Sequence, residues 1–254
     1  MGPTEMHPSA ICFIVMRCGV VRWGPGNLSV SFDKTMRSAG FGILILLSLA
    51  VAGYAVAVYG LLPVGALVHP DMRATFEAHP VGIYAHVFGS AVALALGPFQ
   101  FSSRLRDRRP VLHRRLGRLY LAIGVLIGGL SGLFMAFHAF GGLPSRLGFA
   151  CLAVAWLYSG FRAYFAVRAC DFLAHRRWMV RNFALTFAAV TLRVYLPASM
   201  ALGAAFEVAY PVIAWLCWLP NLVAAECLLN RSTDPLIERP SAGFGPPSAA
   251  HSKG

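Results

Sequence analysis

Charge is scarce in this chain, and acidic charge is scarcest: 10 Asp and Glu stand against 22 Lys and Arg in 254 residues. Charged residues make up 13% of the sequence, well below the roughly one quarter usual for soluble domains. Motifs that carry common chemistry are missing too. There is no HExxH, no Gly-rich phosphate loop and no GxSxG, so zinc-protease, nucleotidase and ordinary serine-hydrolase readings have no support. No CxxC pair occurs either. Cys12 and Cys18 precede the first apolar stretch, Cys151 lies in the fourth, Cys217 and Cys227 lie in the sixth, and Cys170 falls in a connector expected to be cytoplasmic. Neither a structural disulfide nor a cysteine zinc site is expected from those positions.

Apolar sequence, by contrast, is abundant, at 57% of residues. It falls into six stretches: Ala39–Leu62, Val81–Phe101, Leu116–Phe140, Leu147–Val167, Trp178–Ser199 and Val208–Leu229. Each is long enough for a bilayer core, which needs about 20 apolar residues. Basic residues alternate between the connectors. Ser102–Arg115 carries Arg104, Arg106, Arg108, Arg109, Arg114 and Arg115, and Arg168–Arg177 carries Arg168, Arg176 and Arg177. Gly141–Arg146 holds only Arg146, and Ala201–Glu207 holds no basic residue. By the positive-inside rule this predicts an all-α, six-span bundle in the cytoplasmic (inner) membrane with both termini in the cytoplasm. The net charge of +12 then sits where anionic lipid head groups lie, so lipid is the expected partner and nucleic acid is not.

The first stretch is too long for a signal-peptide core and reads as a retained span. Residues 1–38 read as an N-terminal cytoplasmic segment. Its Ala10–Val21 run is too short to span, leaving an interfacial helix or, with Met36 as an alternative start, an untranslated leader. Residues 39–231 form the transmembrane domain. Residues 232–254, rich in Pro, Ser and Gly, read as a disordered cytoplasmic tail.

The chain also resembles itself at an offset of 62 residues. Phe99, Arg106, His113, Arg114 and Arg115 align with Phe161, Arg168, His175, Arg176 and Arg177. Pro110 suits the first position of a helix, and Asp171 suits an N-cap, so both histidines fall in first helical turns. Spans two to five therefore read as two repeated helix pairs. In the third span Gly124, Gly128 and Gly132 form overlapping GxxxG steps, the spacing that lets helices approach closely.

Two side chains stand out inside the spans. His86 lies roughly 9 Å below the outer boundary at 1.5 Å per residue, and Arg193 lies at about the same depth counted from Ser199. His138 closes the third span, while His69 and His79 share the outer loop with Asp71 and Glu77. A membrane-embedded guanidinium with no carboxylate at its depth either bonds backbone carbonyls or receives an anionic group: a propionate, a quinone oxygen or a lipid phosphate. Histidines at two depths also fit a b-type cytochrome, with His86 and His138 as an outer haem pair and His113 and His175 as an inner one. Arg193, Arg114 and Arg176 would then steady propionates or a quinone, and electrons would come from quinol or a partner protein. Arg115, Arg118, Arg177 and Arg181 are expected to contact lipid head groups.

Four segments carry a family resemblance: Gly97-Pro98-Phe99-Gln100-Phe101, His113-Arg114-Arg115-Leu116-Gly117-Arg118-Leu119-Tyr120, His175-Arg176-Arg177-Trp178-Met179-Val180-Arg181, and Ala188-Ala189-Val190-Thr191-Leu192-Arg193. Over roughly residues 80–200 the chain resembles the DUF2306 family of bacterial multi-pass membrane proteins. The resemblance implies an integral membrane bundle and marks His86, His113, His175 and Arg193 as family-like positions. It implies no reaction. Two classes of function follow from the residues: a haem-binding redox protein, or a non-enzymatic bundle that binds or moves a small hydrophobic or anionic molecule. A structural subunit of a larger membrane complex is the third.

Overall fold

Backbone groups in a bilayer have no water to bond, so long apolar stretches satisfy them within helices. A computed structural model describes residues 39–231, and among them there is helix and no strand. The helices are α1 (Ala39–Leu61), α2 (Pro70–Ala78), α3 (Pro80–Gln100), α4 (Ser103–Arg108), α5 (Pro110–Leu119), a π-helical stretch (Tyr120–Ile127), α6 (Gly128–Ala136), α7 (Gly142–Arg168), α8 (Phe172–Thr186), α9 (Ala188–Ala201), α10 (Phe206–Leu216) and α11 (Leu219–Arg231). Joined end to end where they are continuous, they make six helices long and apolar enough to cross a membrane: Gly40–Leu61, Pro80–Gln100, Pro110–Ala136, Gly142–Arg168, Phe172–Ala201 and Phe206–Asn230. These are spans one to six. The expectations for residues 1–38 and 232–254 lie outside the described residues.

Spans three and five start six residues earlier than their apolar stretches. Pro110 opens α5, and Asp171 caps α8 by accepting from the Ala174 amide at 2.9 Å. The extra turns are basic, so hydropathy alone places them in the loop while the caps make them helix. The segment expected as an outer loop likewise contains a helix, α2, again opened by a proline. Cys170, at φ 60° between spans four and five, is disulfide-bonded, which corrects the expectation of unpaired thiols there; Cys151, Cys217 and Cys227 are free.

Spans two and three form an antiparallel pair, as do spans four and five. Span one lies along span two, and span six lies against spans four and five. Small residues make the tightest crossing. A Cβ on Gly124 would meet Ala93 at 2.9 Å, one on Gly89 would meet the Gly128 backbone at 2.8 Å, and one on Gly132 would meet the His86 ring at 2.6 Å. The GxxxG stripe thus packs span three onto span two along its whole length.

A polar knot lies at the centre. Tyr120 donates to Asn182 Oδ1 at 2.7 Å and lies 3.0 Å from Thr186 Oγ1. Asn182 donates to Trp156 O and Ser159 Oγ, both at 2.8 Å, and Trp156 Nε1 donates to Thr186 at 2.8 Å. Tyr120 and Asn182 are 62 residues apart, the offset of the sequence repeat. Gly97, which packs against Tyr120, stands 62 residues before Ser159, which bonds Asn182. These bonds tie span three to spans four and five.

Interrupted backbone is repaired by side chains. Span six breaks between α10 and α11 just before Pro220, which lacks an amide hydrogen. The Cys217 carbonyl at the break accepts from Thr191 Oγ1 and from Asn221 Nδ2. The outside of the bundle is apolar. Leu46, Leu61, Val154 and Phe165 are each more than half exposed, a surface suited to lipid rather than water.

Candidate ligand cavity

A cavity of about 730 Å³ opens among the spans in the half of the bundle opposite the arginine-rich connectors. That volume lies within the range of small-molecule and cofactor sites. Its wall is mostly apolar. His69, His138, Phe140 and Phe206 form the rim, Tyr54, His86, Ser90 and Arg193 lie deeper, and Trp156 and Thr186 lie at mid-bundle.

His86 is held by the glycine stripe. Its Nδ1 lies 2.8 Å from the Gly128 carbonyl, which can only accept, so Nδ1 carries the proton. Nε2 is then the nitrogen left to accept from a ligand or to bind a metal, as in ligating histidines whose other nitrogen donates to a carbonyl. Gly132 leaves the room the ring occupies. Ser90, one turn further on the same face of span two, joins the lining.

Arg193 faces the same cavity from span five. Nη1 donates to the Ala189 carbonyl at 3.0 Å, and the guanidinium carbon lies 6.0 Å from the Tyr54 ring centre. No carboxylate among the described residues pairs with it. Pro197 has no amide to give the Arg193 carbonyl, so that oxygen is released from the helical ladder beside the cavity. His86 and Arg193 thus line one cavity from different spans.

The expected haem pairs fare differently. His138 lies six residues, about 9 Å, along span three from Gly132, on which His86 packs. Its Nδ1 donates to its own helix at Phe134 O, 3.0 Å, and its ring rests 4.2 Å from that of His79. His86 and His138 line the same cavity. His113 lies in the first turns of span three and His175 in those of span five, near enough to interact electrostatically. His175 donates from Nδ1 to Ala163 O at 2.8 Å, whereas His113 Nδ1 is buried with no partner. Gln100 Nε2 is likewise buried without a partner, and its Oε1 faces Gly117 on α5. Neither histidine lines the cavity.

The arginines divide as well. Arg114, Arg115 and Arg118 are exposed, and Arg115 lines a shallow groove with Arg108 and Arg109. Arg176 and Arg177 are half-buried. Arg181, expected to hold lipid, donates from Nε and Nη2 to the two Glu226 carboxylate oxygens of span six, at 2.5 and 2.8 Å, and lies 4.8 Å from the Trp178 ring centre. Tyr54 and Tyr59 on span one escaped sequence reasoning, because nothing in the order of residues relates that span to span five.

Six apolar helices around a buried polar knot, with lipid-suited surfaces outside, define a polytopic helical membrane protein. The family described as "Predicted membrane protein (DUF2306)" matches residues 83–229, and the chain belongs to it. The match extends past Arg193 through span six, further than the four segments indicated, and leaves span one outside. No curated protein and no solved structure matches the chain.

Proposed function

We propose that this protein is a non-enzymatic membrane bundle that binds a small, mostly apolar molecule with an anionic or carbonyl head group. One observation carries the reading: Arg193 and His86, from different spans, converge on a single apolar cavity with no described carboxylate to neutralise the guanidinium. Such a cation in a low-dielectric site favours an anionic or strongly accepting partner. The His86 ring adds a second polar contact, and the apolar wall takes the body of the ligand. The arginine distribution supports an inner-membrane location with cytoplasmic termini and anionic lipid against Arg114, Arg115, Arg118 and Arg177.

The test uses the full-length protein in nanodiscs, with decylubiquinone and palmitate as probes in thermal-shift and native mass-spectrometry assays. A bound probe that raises the unfolding midpoint, with the gain lost in Arg193→Gln, supports the reading. A protein that stays empty with both probes, or binds them equally well in Arg193→Gln and His86→Ala, overturns it.

A b-type haem is the second reading, favoured by the protonation of His86 at Nδ1 and the cavity volume. His86 would be an axial ligand and Arg193 a propionate partner. His113 and His175, steadied by Arg114 and Arg176, would form an inner site, with quinol or a redox protein as electron source. A reduced-minus-oxidised spectrum of protein expressed with haem decides it. An α band lost in His86→Ala or His175→Ala establishes haem, and a colourless folded protein removes it.

A further inference from the structure

We infer that the rim of the cavity carries a divalent-cation site formed by His69, Asp71 and Glu207. One ligand atom from each lies within 4.8 Å of those from the other two. They come from distant parts of the chain: His69 and Asp71 begin α2, while Glu207 lies in the first turn of α10.

Each carboxylate taken singly is explained by its place near a helix N-terminus, where negative charge is favourable. Their convergence is not. Two like charges this close repel, and no lysine or arginine ion pair with either is present among the described residues; Arg73, the nearest basic residue in α2, is engaged with Glu77 at 2.8 Å. The third member is an imidazole whose Nδ1 is shut off from solvent without a hydrogen-bond partner, 3.5 Å from Asp71 Oδ2. Its ring is held by stacking on Phe206, centres 3.9 Å apart and planes 5° from parallel. Stacking on Phe206 therefore fixes the imidazole beside the two carboxylates.

One histidine and two carboxylates are a donor set for zinc, manganese or ferrous iron rather than for magnesium or calcium, which prefer oxygen alone. Zinc bonds of about 2.0–2.2 Å require the three atoms to close in by roughly an ångström, a motion within reach of the exposed Asp71 and Glu207 side chains. Water would fill the remaining positions. A cation here ties the segment between spans one and two to the start of span six. His69 and Phe206 both line the cavity, so the ion would hold its rim closed. The site does not depend on what the cavity binds.

Full-length protein stripped with a chelator would be titrated with zinc chloride by calorimetry, with magnesium chloride as the control. Cobalt substitution would report the ligand set through its visible bands. One zinc per chain is expected, weakened about tenfold or more in His69→Gln and in Glu207→Gln. His79→Gln, which alters the neighbouring imidazole pair, is expected to leave affinity and cobalt bands unchanged. Zinc should also slow hydrogen exchange over residues 62–79 in the wild type and not in Glu207→Gln. Absence of zinc uptake, equal uptake by both ligand variants, or loss only in His79→Gln would overturn the assignment. Probe binding in the cavity is measured separately, so failure of either proposal is distinguishable.

Discussion

Removing the Tyr120 hydroxyl tests the polar knot with little change of shape. Tyr120 is fully buried, and its hydroxyl meets Asn182 Oδ1 at 2.7 Å and Thr186 Oγ1 at 3.0 Å. Thr186 Oγ1 keeps two other contacts in Tyr120→Phe, donating to Asn182 O and accepting from Trp156 Nε1. Asn182 Oδ1 is left with none described. Two contacts of the hydroxyl are lost, and interhelical hydrogen bonds in membranes average about 0.6 kcal/mol each and reach about 1.7, so the variant should lose about 1–3 kcal/mol. Asn182→Leu should cost at least as much, because Asn182 makes three side-chain bonds. In the double variant both ends of the Tyr120–Asn182 bond are gone, and the loss should fall short of the sum of the single losses by about 0.5–1.5 kcal/mol. Reversible unfolding in mixed micelles, followed by tryptophan fluorescence and circular dichroism, measures all four proteins. Strict additivity, within about 0.3 kcal/mol, would show that the bond does not couple spans three and five and would refute the reasoning.

Gly89→Val would bring its Cβ to 2.8 Å from the Gly128 backbone, so it should destabilise by about 1–3 kcal/mol, seen as a lowered unfolding midpoint. Gly132→Ala, whose Cβ would strike the His86 ring, should preserve helix content while weakening probe binding up to about tenfold; unchanged affinity would separate His86 from the site. Glu226→Gln should lower stability by about 1–3 kcal/mol through loss of the charge-assisted fork with Arg181, and Arg181→Gln in addition should recover part of it.

Much of the architecture was legible in the residue order. Bilayer thickness and the need to satisfy every backbone group turn six apolar runs into six helices, and the glycine spacing anticipates a close helix approach on span three, though not which span it meets. Depth could also be counted, because a straight helix converts residue number into distance, and His86 and Arg193 came out level.

Azimuth could not. Whether a side chain faces lipid, a neighbour or a cavity depends on how each helix is rotated, and the π-helical stretch Tyr120–Ile127 and the breaks in spans five and six alter that rotation without a hydropathy signal. Hence the sequence placed His86 and His138 on adjoining spans but did not reveal that one packs into the glycine stripe and the other leans on His79. Arg181 reads as one more basic residue at the membrane surface until span six brings Glu226 against it. Tyr54 meets Arg193, and His69 with Asp71 meets Glu207, across long stretches of chain. The sequence by itself determined the six membrane-spanning helices, because those follow from local composition and a fixed rise per residue. The shared cavity of His86 and Arg193 and the convergence at His69 were decided by tertiary packing, since only rotation and contact between distant helices bring those groups together.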